Sequence, residues 1–225
     1  MSGQVRTITR RAIPELGLRE QNKIEKRDRI RRATRELFSK NGYDDTTLRQ
    51  IAKRAHVGLG TLFNYVHDKG DLIFLICSED LANVLDDALV SVKAMPPDQS
   101  LVDTIVEIFR PHYEYFSKDP EISRLAIKEL GWFTEGKQAE YFYKTARRLM
   151  AAIEDLVRKA QKRGQISAKE DPATIAHLIF LVSFGAIRWW IVGHFPEPST
   201  GLTELRRMLE VQFNGFRHQS AAKNT

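Results

Sequence analysis

The sequence predicts an all-α fold, with a small three-helix unit of helix-turn-helix type at the N-terminus and a larger helical domain behind it. Three observations lead there. Apolar residues recur at three- and four-residue intervals in almost every segment, which is the period of one helix face. Start and stop signals punctuate those segments: Thr47 with Gln50, Asp68 with Asp71, Pro120 and Pro172 at starts, Asn41-Gly42 and Gly164 at ends. The charge is unevenly placed. Residues 1–70 hold 16 lysines and arginines against 8 acids, whereas residues 71–225 hold 19 against 21, so the positive excess lies wholly in the first third. A solvated surface spreads its charge, and a phosphate-binding module concentrates it.

Charged residues at 28% and hydrophobic residues at 42% describe an ordinary globular chain. The expected division is a mobile basic arm over 1–21, a helix-turn-helix DNA-binding unit over 22–68, and a helical domain over 69–225. Cys77 is the only cysteine and sits in an apolar stretch, which reads as a small buried hydrophobe. With no disulfide framework possible within one chain, and no apolar h-region in the first seventeen residues, the expected compartment is a reducing cytoplasm.

The arm carries Arg6, Arg10, Arg11 and Arg19 among Gly3, Pro14 and Gly17 without any period. It is expected to be either a plain disordered tail or an arm that lies along DNA. Over 22–40 the spacing predicts a helix, with Ile30, Ala33, Leu37 and Phe38 as its inner stripe and Arg27, Arg31 and Arg35 on another face. Thr47 and Gln50 then form a capping box, and Leu48, Ile51, Ala52 and Ala55 give the next helix a buried side. His56-Val57-Gly58 breaks the period, with Gly58 as the following N-cap.

In the third helix Leu62 and Val66 point inward, while Leu59, Gly60, Phe63 and Asn64 fall on the opposite side. That outer face has no charged side chain, yet Arg49, Lys53, Arg54 and Lys69 surround it. Small, apolar and amide groups facing outward suit base edges in a major groove, where Asn pairs with adenine and apolar groups meet thymine methyls. The plain alternative is a pair of ordinary surface helices. A long helix is expected over 69–93, capped by Asp68 and Asp71, with Leu72, Leu75, Ile76, Leu81, Leu85, Ala88 and Val92 inward. Lys69 at its first turn opposes the helix dipole, and a phosphate is expected there to offset it.

Residues 29–75 resemble the N-terminal DNA-binding region of TetR-family transcriptional regulators. The matching pieces are Phe38 with Asn41-Gly42-Tyr43, Thr46-Thr47-Leu48, Ile51-Ala52, Val57, Gly60-Thr61-Leu62-Phe63, Tyr65, and Lys69 before Leu72. Three positions depart from the family pattern. His56 stands where Gly is usual, Gly58 where Ser is frequent, and Phe63 where Tyr is usual. The resemblance implies phosphate contacts from Thr47, Thr61, Tyr65 and Lys69. It implies base contacts from Arg49, Leu59, Gly60 and Asn64, with Phe63 at the edge. Arg49 would suit guanine, and Gly60 would let the helix backbone approach closely.

Beyond this unit, helices are expected over 99–117 (kinked or shortened at Pro111), 120–130, 137–162, from Pro172 onward, and 201–216. Residues 131–136 read as an aromatic loop bracketed by glycines. Residues 173–192 are almost wholly apolar, and length alone permits a membrane span. His177 and Arg188 within the stretch argue against one, so a helix buried on both sides is expected. One side would meet this subunit's core and the other a second copy, approached through Ala176, Ser183, Gly185 and Ala186. The resemblance implies a homodimer built on the last two long helices, which adds Leu205, Leu209 and Phe213 to that interface.

It also implies a small-molecule effector pocket within the helical domain. Tyr113, Phe116, Trp132, Phe133, Tyr141, Phe142, Phe180 and Trp189 are candidates for its lining, with His177 (and His112) to orient a polar group. Aromatics at helical spacing are otherwise plain core, and a lone His on an apolar helix is otherwise a satisfied core residue. No metal site and no cofactor is expected, because the six histidines are scattered without ligand spacing. Gly58-Leu59-Gly60 is half of a dinucleotide-binding fingerprint with no strand before it, so an enzyme is not expected. The expected function is a sequence-specific DNA-binding regulator, a repressor released from a palindromic operator by a largely apolar ligand. The alternative is an architectural DNA-binding protein on the same scaffold without an effector.

Overall fold

The first helix starts earlier than its apolar period suggested. In the structure, a computed structural model that describes residues 17–130, 137–194 and 197–217, α1 spans Leu18–Asn41. Residues 18–21 are therefore helical and not part of the arm, and residues 1–16 lie outside the described residues. α1 buries Ile30, Ala33, Thr34 and Phe38 and closes on Gly42, whose N–H donates to the Phe38 carbonyl at 2.9 Å. Gly42 has φ +81°, where glycine alone is unstrained.

α2 (Leu48–Arg54) opens on the expected reciprocal cap. The Thr47 hydroxyl accepts from the Gln50 N–H at 3.2 Å, and Gln50 Oε1 accepts from the Thr47 N–H at 2.7 Å. The turn to α3 (Leu59–Phe63) passes through His56 at φ +53°. Leu62 and Val66 meet Ile30, Phe38 and Ile51 to form the small core of this head, all of them at most 2% exposed. Two helices this short bury too little alone, so α1 supplies the third wall.

α4 (Asp71–Lys93) is the spine, with residues 71–78 buried in succession. It packs on α5 (Leu101–Ser117) and α7 (Lys137–Lys162), and touches α1 and α6 (Pro120–Leu130). α5 runs through Pro111 without a break, so the proline does not shorten it. α8 (Pro172–Trp189) continues into a wider turn, Trp190–His194, with Gly193 at φ +102°. α9 (Pro198–Arg217) then returns against α5 and α8. Among the described residues there is no strand.

The surface of α8 corrects two expectations. The helix is not buried all round: Ile175, Ala176, Ile179, Ser183, Ala186 and Ile187 face inward, while Leu178, Leu181, Gly185, Trp189 and Val192 face solvent. Ala176, Ser183 and Ala186, together with Leu205, Leu209 and Phe213 of α9, belong to the protomer's own core and cannot touch a second copy. Of the expected interface only Gly185 is at the surface. The small residues serve close packing inside the subunit. Residues 172–193 are long and apolar enough to cross a membrane, but in this fold α8 packs on α7 and α9.

The arginine row of α1 is likewise redirected. Arg31 bonds Glu79 at 3.0 Å and Asp80 at 2.7 Å, Arg35 bonds Asp80 at 3.2 Å, and Arg27 lies 3.2 Å from Glu79. Although burial opposes its charge, Asp80 and Glu79 hold the Arg31 guanidinium more firmly protonated than usual. These three cations bolt the head to α4, so the charge available to DNA is smaller than the sequence count implies.

Candidate nucleic-acid interface and cavity

The cap on Thr47, the turn at His56 and the buried Leu62 fix how α3 projects. Leu59, Gly60, Phe63 and Asn64 stand on its outer face, all exposed, and Arg49 of α2 is exposed beside them. Leu59 is 36% and Phe63 44% exposed, a large apolar surface for so short a helix. At Gly60 an added Cβ would meet nothing of the protein within 4 Å. The five expected base-reading residues are thus brought to one surface.

The four expected phosphate contacts are more varied. Thr47 is exposed and Thr61 half-buried at the rim of α3. The Tyr65 hydroxyl donates to the Lys23 carbonyl at 3.3 Å. Lys69 donates to the Asp44 carbonyl at 3.0 Å, with its ammonium 4.4 Å from the centre of the Tyr43 ring. Burial first, and then the acids Glu129, Asp68 and Asp44, push the Tyr43 hydroxyl up to about 12, so the ring stays neutral beneath that ammonium. At the start of α4, where a phosphate is expected, one N–H group is already capped. Asp68 Oδ1 already accepts the Asp71 N–H at 2.8 Å, and a carboxylate there satisfies the helix end.

Asp71 is a residue that sequence reasoning placed only as part of a cap. It is 1% exposed and accepts from the His67 N–H at 2.9 Å and from the Gln138 N–H at 3.1 Å. Gln138 also donates through Nε2 to the Tyr65 carbonyl at 2.9 Å. The first turn of α7 is thereby tied to the chain that leaves α3. No local signal in the sequence marks Gln138, because its partners lie 67 and 73 residues away.

One turn beyond Gln138, Phe142 lines a cavity of about 580 Å³ among α4, α5, α7 and α8, open to solvent on the side of Arg147 and Leu181. Phe116, Phe142 and Phe180 are there as expected. The other candidates are elsewhere. Tyr113 is core: its ring lies 5.0 Å from that of Trp190, and a Cβ on Gly201 would come within 2.4 Å of it. Tyr141 faces outward near Arg27, and His177 and Trp189 are on the exposed side of α8. Trp132 and Phe133 lie outside the described residues. Phe109 and Phe184, which sequence reasoning did not single out, and Leu85, which it placed in the core, line the cavity as well. His112, named only in passing, is on the wall. Its Nδ1 lies 3.1 Å from the Ile108 carbonyl, and burial lowers its pKa to about 4 against that bond. Cys77 is buried and its thiol is pushed up to about 11, chiefly by burial, which makes it unreactive. Among the described residues no cluster of His, Cys, Asp and Glu could hold a metal.

Comparison with known proteins agrees with this geometry. Residues 30–76 match the profile of bacterial regulatory proteins, tetR family. An HTH-type transcriptional regulator, SAB2452 of Staphylococcus aureus (strain bovine RF122 / ET3-1), is 38% identical over 58 residues, 26% of this chain and 31% of that protein. HbdR, an HTH-type transcriptional regulator of Aromatoleum sp. (strain CIB), is 45% identical over 62 residues, 28% of this chain and 25% of that protein. The chain therefore aligns with less than a third of either relative's length. Among solved structures, FadR of Thermus thermophilus, a TetR-family transcriptional repressor in complex with lauroyl-CoA, superposes with a TM-score of 0.65. It is 22% identical and covers 84% of this chain and 94% of its own. FadR of Bacillus subtilis, in complex with stearoyl-CoA, superposes with a TM-score of 0.64 at 16% identity, over 84% of this chain and 98% of its own. At these identities the likeness is one of fold.

Proposed function

We propose, from the match of residues 30–76 to the profile of bacterial regulatory proteins, tetR family, that the chain is a member of that family and a sequence-specific DNA-binding transcriptional regulator. It acts in the cytoplasm as a homodimeric repressor on a palindromic operator and is released by a small, largely apolar ligand. The observation that carries the reading is the outer face of α3, exposed, uncharged and apolar in part, beside Arg49 and Lys53. Such a face suits base edges in a major groove, where apolar groups meet thymine methyls and Asn pairs with adenine. Arg49, Leu59, Gly60, Phe63 and Asn64 read bases, while Thr47, Thr61, Tyr65 and Lys69 hold phosphates, the last two exchanging their present carbonyl partners for DNA. The second copy docks on the exposed apolar row of α8, from Leu178 and Leu181 through Gly185 to Trp189 and Val192.

The cavity favours a switchable regulator over a purely architectural DNA binder. Its volume lies within the range of sites that enclose small molecules, roughly 300–1,000 Å³. Phe142 on its wall is one turn from Gln138, which grips the end of α3 and the start of α4. A ligand that prefers the arrangement with the heads misplaced would shift the population away from DNA; one with equal affinity for both arrangements would do nothing. The test is a titration of labelled duplex by fluorescence anisotropy at several salt concentrations. Log K should fall steeply with log [salt], and Asn64→Ala should change sequence preference without changing that slope. A flat salt dependence contradicts the phosphate contacts. Unaltered preference in Asn64→Ala contradicts the reading face.

A further inference from the structure

The wall of the cavity among α4, α5, α7 and α8 is mostly carbon, so its few polar groups decide what it selects beyond size. Thr145 Oγ1 donates to the Tyr141 carbonyl at 3.4 Å, Arg147 is exposed to solvent, and Tyr143 is half-buried. His112 differs from these in carrying a ring nitrogen. It is 8% exposed, and its Nδ1 lies 3.1 Å from the Ile108 carbonyl oxygen. A carbonyl only accepts, so Nδ1 carries the hydrogen, and in the neutral ring Nε2 keeps its lone pair. Burial keeps the ring neutral, with the bond to Ile108 a weaker opposing pull. The bond to Ile108 is made by Nδ1, which leaves Nε2 on the opposite edge of the ring. The edge of the ring turned away from its own helix thus presents an acceptor on a wall otherwise set by Phe109, Phe116 and Phe180.

Resting on the ligand-responsive reading above, we propose that the cavity takes an apolar molecule bearing a hydrogen-bond donor, a hydroxyl or an amide N–H, which His112 accepts at Nε2. A ligand whose polar atoms only accept leaves that lone pair out of water and unmatched. The cost of a buried unmatched acceptor exceeds what the same bond gains at the surface. A carboxylate placed at His112 does worse, because it sets a negative charge against the lone pair; Arg147 at the solvent edge of the wall is where one would be drawn instead.

The test is calorimetric titration of the full chain with 4-heptylphenol and with 4-heptylanisole, which differ only by a methyl on the oxygen. The phenol is expected to bind about tenfold tighter. His112→Phe should bind both with the affinity of the anisole. His112→Gln, whose amide oxygen accepts, should keep most of the preference. If His112→Phe does not fold, as judged by its circular dichroism melt, the wild-type pair and His112→Gln still decide. Ala146→Phe, which fills the cavity from α7, should abolish both interactions. Equal affinity of the two probes for the wild type overturns the donor assignment while leaving a ligand cavity in place. Binding that survives Ala146→Phe overturns it as well, since the probes then sit elsewhere. If neither probe binds or shifts the melting temperature, the ligand-responsive reading falls and the donor assignment with it.

Discussion

At Gly60 the fold itself does not require the absence of a side chain. The position is inside α3, where alanine is favoured over glycine by roughly 0.5–1 kcal/mol, and a Cβ there would touch no protein atom. Gly60→Ala is therefore expected to raise stability slightly in urea unfolding while weakening DNA binding about tenfold or more. The methyl would stand between the helix backbone and the bases. An unchanged affinity would place α3 farther from the duplex than the exposure of its outer face implies. His56 is a second residue held against local preference, at φ +53° in the turn between α2 and α3, a region that His tolerates better than most side chains.

Among the elements, α9 is fixed by one contact that allows no extra atom. Tyr113 of α5 lies against Gly201, where a Cβ would approach its ring to 2.4 Å, and the other neighbour of that ring is Trp190. Gly201→Ala should cost about 1–3 kcal/mol, read from denaturant midpoints, because neither ring has room to move. The head and body are joined by α1 to α4 through Arg31 and Asp80, and by α7 to α3 through Gln138. Gln138→Ala should leave DNA affinity within a few fold of wild type but reduce the weakening of DNA binding that a cavity ligand produces. An undiminished response, measured by anisotropy with and without 4-heptylphenol, would route the coupling elsewhere.

What the sequence shows of these elements follows the range of the interactions. Helix spans and caps are local, and Thr47 with Gln50 or Asp68 with Asp71 could be read directly. The exposed face of α3 was legible for the same reason: Leu62 and Leu59 lie on opposite sides of a single short helix. Partners far apart in the chain leave no such mark. The arginine row of α1 looked like a basic surface because Glu79, Asp80 and Asp119 are 40 residues or more away in the sequence. Tyr113, Tyr141 and Trp189 looked like pocket aromatics, yet only packing decides which side of each helix faces the cavity. The small residues of α8 suggested an approach between subunits, and the same residues serve equally well for packing within one.

For the whole molecule, the proposed function requires two heads held at a fixed separation. One head carries a proposed reading helix of five residues, too small a surface for strong selection alone. Pairing two through the exposed apolar row of α8 and the turn after it would double the contacts and impose two-fold symmetry on the site they recognise. The spine α4 runs from the head to the cavity, so under this proposal a change in cavity packing would alter the spacing of the pair. Local reading and long-range control would then be separated into different parts of one chain.

The most direct measurement is selection of duplexes bound by the purified protein from a random pool, followed by sequencing. Two heads related by a two-fold axis should enrich an inverted repeat whose half-sites are about 34–36 Å apart, one turn of DNA or a multiple of it. Enrichment of a single unrepeated half-site, or of no sequence at all, would contradict paired reading by α3.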